Sequence, residues 1–268
     1  MNFLKGSLFR RNTEPEELEP MEESGGGILA VWGSPGCGKT VTAVKIAKHL
    51  AAQKKNTVLL LCDMTAPMMP CICPPSELEV DKSLGSIFAA QHISTNLIKH
   101  NLTTLKRLPH LTMLGLRKKE NEYTYAPCTK QQAEELIRRL REIVPYVVID
   151  CSSYIANDIL SAVTLMEADN VLRLANCDPK SVSYFSSQLP LLEDAEWGAD
   201  KQYKVAANVK PYQAADHIGK ALGDATFVLP YSQELEEQYL GRNLLADLAL
   251  KDSRPFRKEL EKIIAEVF

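Results

Sequence analysis

The chain of 268 residues lacks any apolar run of the roughly 18 residues that a membrane-spanning helix needs. Residues 1–5 are not followed by the apolar segment of a secretory signal peptide. Aromatic residues are scarce, at 7%, but a hydrophobic content of 45% is enough for a sizeable core. We therefore expect a soluble, cytoplasmic protein without a transmembrane segment.

An excess of positive charge is also missing. The net charge is -3, with 31 Lys and Arg against 34 Asp and Glu, so no global basic field favours nucleic acid. DNA remains a second-choice partner because two local basic clusters occur, at Lys106, Arg107, Arg117, Lys118 and Lys119, and at Arg254, Arg257 and Lys258.

Paired cysteine motifs are absent as well. The seven cysteines are an odd number and include no C-x-x-C pair. Cys71 and Cys73 have no second Cys or His pair at a spacing typical of zinc sites. We expect reduced thiols and no structural metal at these positions.

Two regions differ in composition. Residues 1–27 combine a short basic and apolar start, a Glu-rich run and a Ser-Gly-Gly-Gly joint, which predicts a flexible acidic tail. Residues 28–268 alternate short apolar runs with amphipathic ones, as in an α/β domain. We expect one three-layer α/β domain with helices on both faces of a mostly parallel sheet of about seven strands, at 28–32, 57–62, 111–114, 146–150, 170–175, 204–208 and 226–229.

The segment GSPGCGKT, residues 33–40, follows the first predicted strand and precedes a predicted helix. It matches the P-loop motif G-x-x-x-x-G-K-[ST], in which backbone N–H groups surround phosphates, the lysine reaches the β and γ phosphates and the hydroxyl binds Mg²⁺. We therefore expect the three-layer domain of residues 28–268 to be a P-loop NTPase domain. An ordinary glycine turn would not need Lys-Thr at the start of a helix. The expected nucleotide contacts are Gly33, Ser34, Pro35, Gly36, Cys37, Gly38, Lys39, Thr40 and Val41.

Two acidic residues follow apolar strands and complete the expected site. Asp150 ends YVVID, where the carboxylate of a P-loop enzyme's metal site is expected, although Asp is also a common helix cap. Asp63 ends TVLLLCD and could act on the attacking water, or be a surface turn residue. The apolar loop 64–75 after it is either an adaptable partner surface or a buried loop.

These motifs, in this order, resemble the MinD and ParA group of P-loop ATPases over nearly all of residues 28–268. The resemblance rests on GSPGCGKT, TVLLLCD, SLGSIFA, YVVIDCSS, EADNVLRLANCDPKSV, KVAANVKP and TFVLPYSQELEEQYLGRNLL. It implies ATP and Mg²⁺ as cofactors, catalytic roles for Lys39 and Asp63, and a metal site at Thr40 and Asp150. It also implies that Asn208, Pro230 and Tyr231 frame the adenine.

The chain departs from the family pattern at two positions. Ser34 stands where the family usually has a lysine that crosses the dimer interface, and Cys62 stands where it often has a first Asp. These departures predict slow hydrolysis and put the family's ATP-dependent homodimer in question. The substituted loop is most similar to the CpaE and TadZ branch.

The resemblance implies an ATP-driven switch that positions or recruits a protein partner of a pilus, secretion or conjugation system. Two alternatives stay open: a degenerate nucleotide-binding scaffold with little or no hydrolysis, and a DNA-partitioning ATPase.

Overall fold

The structure, a computed structural model, describes residues 25–79, 81–213 and 223–268. Within these residues one sheet runs in the order β3-β4-β2-β5-β1-β6-β7-β8. Only the edge pair β3 and β4 is antiparallel. The strands are β1 (Gly27–Gly33), β2 (Thr57–Leu61), β3 (Thr103–Leu105), β4 (Leu108–Leu114), β5 (Tyr146–Asp150), β6 (Asn170–Asn176), β7 (Gln202–Val209) and β8 (Phe227–Pro230).

The predicted α/β architecture is confirmed, and all seven predicted strands are present. The prediction missed β3, because three residues are too few to show an alternating or continuous apolar pattern. In the described sheet β3 alone runs antiparallel to the other strands, and the two residues 106 and 107 connect it to β4. The sheet therefore has eight described strands where about seven were expected.

Helices cover both faces of the sheet. The described α-helices are α1 (Lys39–Ala52), α2 (Met69–Ile72), α3 (Leu84–Phe88), α4 (Thr95–Asn101), α5 (Lys130–Ile143), α6 (Ile159–Glu167), α7 (Pro179–Gln188), α8 (Gln233–Leu240) and α9 (Arg254–Val267). One apolar cluster packs α1 and α9 on one face of the sheet, and a second packs α5 and α6 on the other. Because strands such as β2 and β5 are covered on both sides, every one of their residues is buried.

The predicted acidic tail lies mostly outside the described residues. Strand β1 begins at Gly27, one residue earlier than predicted, and the Gly27 amide donates to the carbonyl of Pro145 at 2.8 Å. In the part of the chain that the structure describes, no helix is both long and apolar enough to cross a membrane.

The strand order brings the motifs that follow β1, β2 and β5 together at the carboxyl ends of these strands. The chain moves outward from β1 to β2 and β4, returns to β5 beside β1, and then continues on the other side through β6. In open α/β sheets, ligands bind outside the carboxyl ends of the strands at such a reversal. The segments that follow β1, β2 and β5 meet there.

Candidate functional site

The loop between β1 and α1 turns sharply and leaves the start of α1 open. Gly36 and Gly38 have φ of 76° and 84°, a region that glycine adopts without strain. Helix α1 begins at Lys39. Its N-cap residue is Gly38, which has no side chain to accept a hydrogen bond from the first N–H groups of the helix. These first N–H groups, with the positive end of the helix dipole, have the chemistry that binds an anion.

Gly33 and Gly36 require glycine for different reasons, the first because of a close backbone contact and the second because of its positive φ. This difference gives a first prediction. A Cβ at Gly33 would lie 2.0 Å from the backbone oxygen of Leu174, whereas one at Gly36 would meet nothing within 4 Å. We expect Gly33→Ala to lose more than about 3 kcal/mol of unfolding free energy and Gly36→Ala about 1–2 kcal/mol. Urea denaturation of both variants checks this, and equal losses would contradict the close packing of β1 against β6.

The Lys39 side chain lies over the loop and contacts the segment after β5. Its ammonium donates to Ser153 Oγ at 2.7 Å and to the Ser34 carbonyl at 3.3 Å. Ser153 Oγ in turn donates to the Gly33 carbonyl at 2.9 Å. Sequence reasoning quoted Ser153 within YVVIDCSS but gave it no role. The structure makes it the residue that couples the post-β5 segment to the loop.

Thr40 and Asp150 form a pair at the base of the site. Thr40 Oγ1 donates to Asp150 Oδ2 at 2.6 Å. Asp150 is the last residue of β5, so the capping alternative is wrong. Burial raises the pKa of its carboxyl to about 7, against the opposing effects of the Thr40 hydrogen bond and the Lys39 charge.

This pair has the donor atoms that Mg²⁺ prefers. Asp150 is 3% exposed, and its Oδ1 has no hydrogen-bond partner among the described residues. A buried carboxylate oxygen without a partner is costly, and a hydroxyl beside it completes a set of hard oxygen ligands. The residues present therefore fit the metal that the sequence predicts.

Asp63 stands near Asp150, two positions after the end of β2. Its Oδ1 accepts hydrogen bonds from the amides of Thr65 and Ala66, both at 2.9 Å, and its charge contributes to the raised pKa of Asp150. Asp63 lines the same cleft as Lys39 and Thr40. Both amide hydrogen bonds of this turn end on Asp63 Oδ1. The second carboxylate oxygen, Oδ2, takes part in neither of them.

The loop after Asp63 packs largely against the sheet. Met69, Ile72 and Cys73 are buried, and residues 69–72 form the short helix α2. Thr65 and Ala66 are exposed at the start of the loop. The buried alternative thus holds for Met69, Ile72 and Cys73, while Pro70 and Cys71 between them are half-buried.

A cleft of about 570 Å³ continues from the loop toward the ends of β7 and β8. Asn208 lines it with φ of 52° and donates from Nδ2 to Asn176 Oδ1 at 3.0 Å. Asn176 donates to the Gly36 carbonyl at 3.2 Å, so it links this wall to the loop. Sequence reasoning gave Asn176 no role, although it directly follows the predicted strand 170–175 and is the last residue of β6.

Tyr231 also lines the cleft, and its hydroxyl donates to Glu236 at 2.5 Å while Lys210 lies 5.3 Å from its ring centre. Pro230 ends β8 between two lining residues, Leu229 and Tyr231, but is not itself part of the lining. The other walls come from α1, α8 and α9, with Val41, Leu235, Tyr239 and Phe256.

Ser34 faces the interior. It is fully buried, its Oγ shares a hydrogen bond of 2.7 Å with Ser181 Oγ, and its amide donates to the Leu174 carbonyl at 3.1 Å. Gly33, Ser34 and Pro35 do not line the cleft, whereas the expected contacts from Gly36 to Val41 do. Ser34, at the position where the MinD and ParA group usually has a lysine, therefore packs inside the protein.

No protein-family model matches the chain, and no curated protein matches its sequence. Solved structures do. A ParA family ATPase from Chlorobium tepidum superposes with a TM-score of 0.73 at 14% identity, over 89% of this chain and 98% of that one. The chain has the MinD/ParA fold.

Two further structures with the MinD/ParA fold illustrate its range. The MinC–MinD cell division complex of Aquifex aeolicus matches with a TM-score of 0.69 at 14% identity, over 89% of this chain and 94% of that one. Septum site-determining MinD from Pyrococcus horikoshii, complexed with Mg-ADP, matches with a TM-score of 0.67 at 13% identity, over 90% of this chain and 95% of that one. At these identities the likeness shows the fold, and the activity must be argued from the site.

Proposed function

We propose that the chain is a Mg-ATP-binding P-loop ATPase of MinD/ParA type that acts as a nucleotide-dependent switch. The observation that carries the proposal is the convergence of Lys39, Thr40, Asp150 and Asp63 at the open amino end of α1. Each of these side chains has the chemistry that phosphoryl transfer requires.

The proposed roles follow from the contacts. The amides of the loop and the Lys39 ammonium would hold the phosphate oxygens, and Thr40 and Asp150 would hold Mg²⁺ through the hydroxyl and the buried carboxylate. Bound Mg²⁺ supplies charge neutralisation on the phosphates. Asp63 orients the attacking water from the edge of the cleft.

ATP is the proposed nucleotide. The cleft beyond the loop ends in Asn208 and Tyr231, which the family resemblance assigns to adenine, and its volume of about 570 Å³ is in the range of small-molecule sites. The Pyrococcus MinD bound Mg-ADP in the same fold, which supports the assignment. Calorimetric titration with ATP and GTP tests it, and equal affinity for the two would contradict it.

The proposed partner is a protein of a pilus, secretion or conjugation assembly, as in the CpaE and TadZ branch. The Aquifex MinD structure was solved with the protein MinC, which supports a role of this fold in recruiting proteins. Nucleotide-dependent ordering of the segments after Asp63 and Asp150 would remake such a surface.

The buried Ser34 favours a second candidate, a scaffold that keeps nucleotide without appreciable turnover. Its hydroxyl is hydrogen-bonded to that of Ser181 and carries no charge, so Ser34 provides no positive charge for the phosphates bound by a second copy. ATP binding without phosphate release would support the scaffold over the switch.

DNA binding is less well supported. In the first basic cluster, Arg107 pairs with Glu77 at 3.2 Å and Arg117 with Glu120 at 2.5 Å. A DNA titration at several salt concentrations tests this role, because phosphate contacts must weaken steeply with salt.

The metal pair gives a second prediction. Thr40→Val keeps the size of the side chain and removes the hydroxyl that Asp150 accepts from. We expect the affinity gained on adding Mg²⁺ to fall at least about tenfold, because the loss of one hydrogen-bonding ligand costs about 1–3 kcal/mol.

Calorimetric titration with ATP in EDTA and in excess Mg²⁺ measures the Thr40→Val effect. Affinity in EDTA should match the wild type. An unchanged response to Mg²⁺ would contradict the placement of the metal at Thr40 and Asp150.

A further inference from the structure

Lys45 is a buried charge that the proposed chemistry does not use. It lies on α1, is 3% exposed, and is six residues after Lys39 on the helix whose amino end faces the phosphate site. A buried ammonium is tolerated when it is fully hydrogen-bonded. Its contacts therefore define what it does.

All three of its hydrogen bonds go to one part of the chain. The ammonium donates to Gln238 Oε1 at 2.5 Å, to the Leu244 carbonyl at 2.6 Å and to the Ala246 carbonyl at 2.9 Å. Three acceptors match the three donors of an ammonium group. Among the described residues, the charged groups that act on it are Lys48, Glu234 and Asp247.

The segment that Lys45 holds is continuous with the wall of the cleft. Helix α8 contributes Leu235, Glu236 and Tyr239 to the lining. The segment 241–253 is tied back to α8, because the Glu234 carboxylate accepts from the amides of Ala249 and Leu250 at 2.7 and 3.0 Å. Helix α8 and segment 241–253 thus form one unit, which we call the α8 unit.

We propose that Lys45 is a positioning residue that fixes the α8 unit against α1 and thereby sets the geometry of the base side of the nucleotide cleft. This role rests on the proposed nucleotide site. It differs from the role of Lys39, because Lys45 is buried away from the cleft lining and acts through Leu235 and Tyr239.

The test separates the two ends of the nucleotide. Calorimetry measures the affinity of the full chain for Mg-ATP and for Mg-tripolyphosphate, which has the phosphates but no base or ribose. In Lys45→Met we expect the ATP dissociation constant to rise about tenfold and that of tripolyphosphate to change less than about twofold. Amide hydrogen exchange across residues 233–246 should become faster, even without nucleotide.

Lys48→Met is the matched control. Lys48 lies on the same helix and pairs with Asp247 of the same unit, but the Asp247 side chain is almost fully exposed. An ion pair whose carboxylate is open to water contributes little, so both dissociation constants should stay within about twofold of the wild type.

Should Lys45→Met fail to fold, Gln238→Met removes one acceptor and leaves the two carbonyls. As in Lys45→Met, the dissociation constant of Mg-ATP should rise more than that of Mg-tripolyphosphate. Equal losses for both ligands, or no loss for either, in the variant that folds would overturn the role of Lys45. A wild-type protein that binds neither ligand would instead overturn the proposed function.

Discussion

Lys39→Ala is expected to raise the dissociation constant for Mg-ATP at least about 100-fold, the loss of roughly 2.7 kcal/mol. Lys39 is the one charged residue of the segment 33–40, and it lines the cleft at the amino end of α1. Charge-assisted hydrogen bonds to phosphate are among the strongest single contacts that a protein makes. Calorimetric titration of the purified variant measures the effect.

Lys130→Ala is the control for Lys39→Ala, since Lys130 lies at the exposed start of α5. It should bind ATP as the wild type does. Circular dichroism should show both variants folded, because Lys39 loses only its contacts with Ser34 and Ser153. A Lys39→Ala protein that binds Mg-ATP as tightly as the wild type would contradict the site.

Asp63→Asn should leave ATP binding within about threefold and lower turnover at least about 100-fold, the contribution typical of a positioned acid–base group. The Asn side chain keeps an oxygen that can accept from the amides of Thr65 and Ala66, so the turn persists while the charge is lost. Phosphate release under saturating Mg-ATP measures the effect.

Asp63→Ala removes both the charge and the acceptor of the turn, so comparison with Asp63→Asn separates chemistry from loop geometry. Asp81→Asn, at an exposed carboxylate, is the control and should turn over normally. Wild-type turnover in Asp63→Asn would show that another group orients the water.

Most of the fold could be predicted because buried parallel strands are continuous apolar runs. Residues 57–61 and 146–150 are buried throughout and were recognised for that reason. Strand β3 was not predicted, because it pairs with β4 across a short turn and its three residues show no hydrophobic pattern of their own.

The neighbouring positions of Lys39 and Thr40 at the start of α1 were predictable because the motif fixes their spacing, and the position of Asp150 was predictable because it ends a buried strand. Contacts between distant segments have no such signal. Ser153 meets Lys39, and Asn176 meets both Gly36 and Asn208, only because β1, β5, β6 and β7 are neighbours in the sheet. The three acceptors of Lys45 lie about 200 positions away and are likewise set by packing.

The measurement that tests the central claim most directly follows phosphate release and molar mass by light scattering on one sample without nucleotide, with Mg-ADP and with Mg-ATP. The switch predicts slow phosphate release and a larger molar mass with Mg-ATP, as an ATP-dependent homodimer would give, which returns with Mg-ADP to the value measured without nucleotide. No phosphate release and the same mass in all three conditions would contradict it.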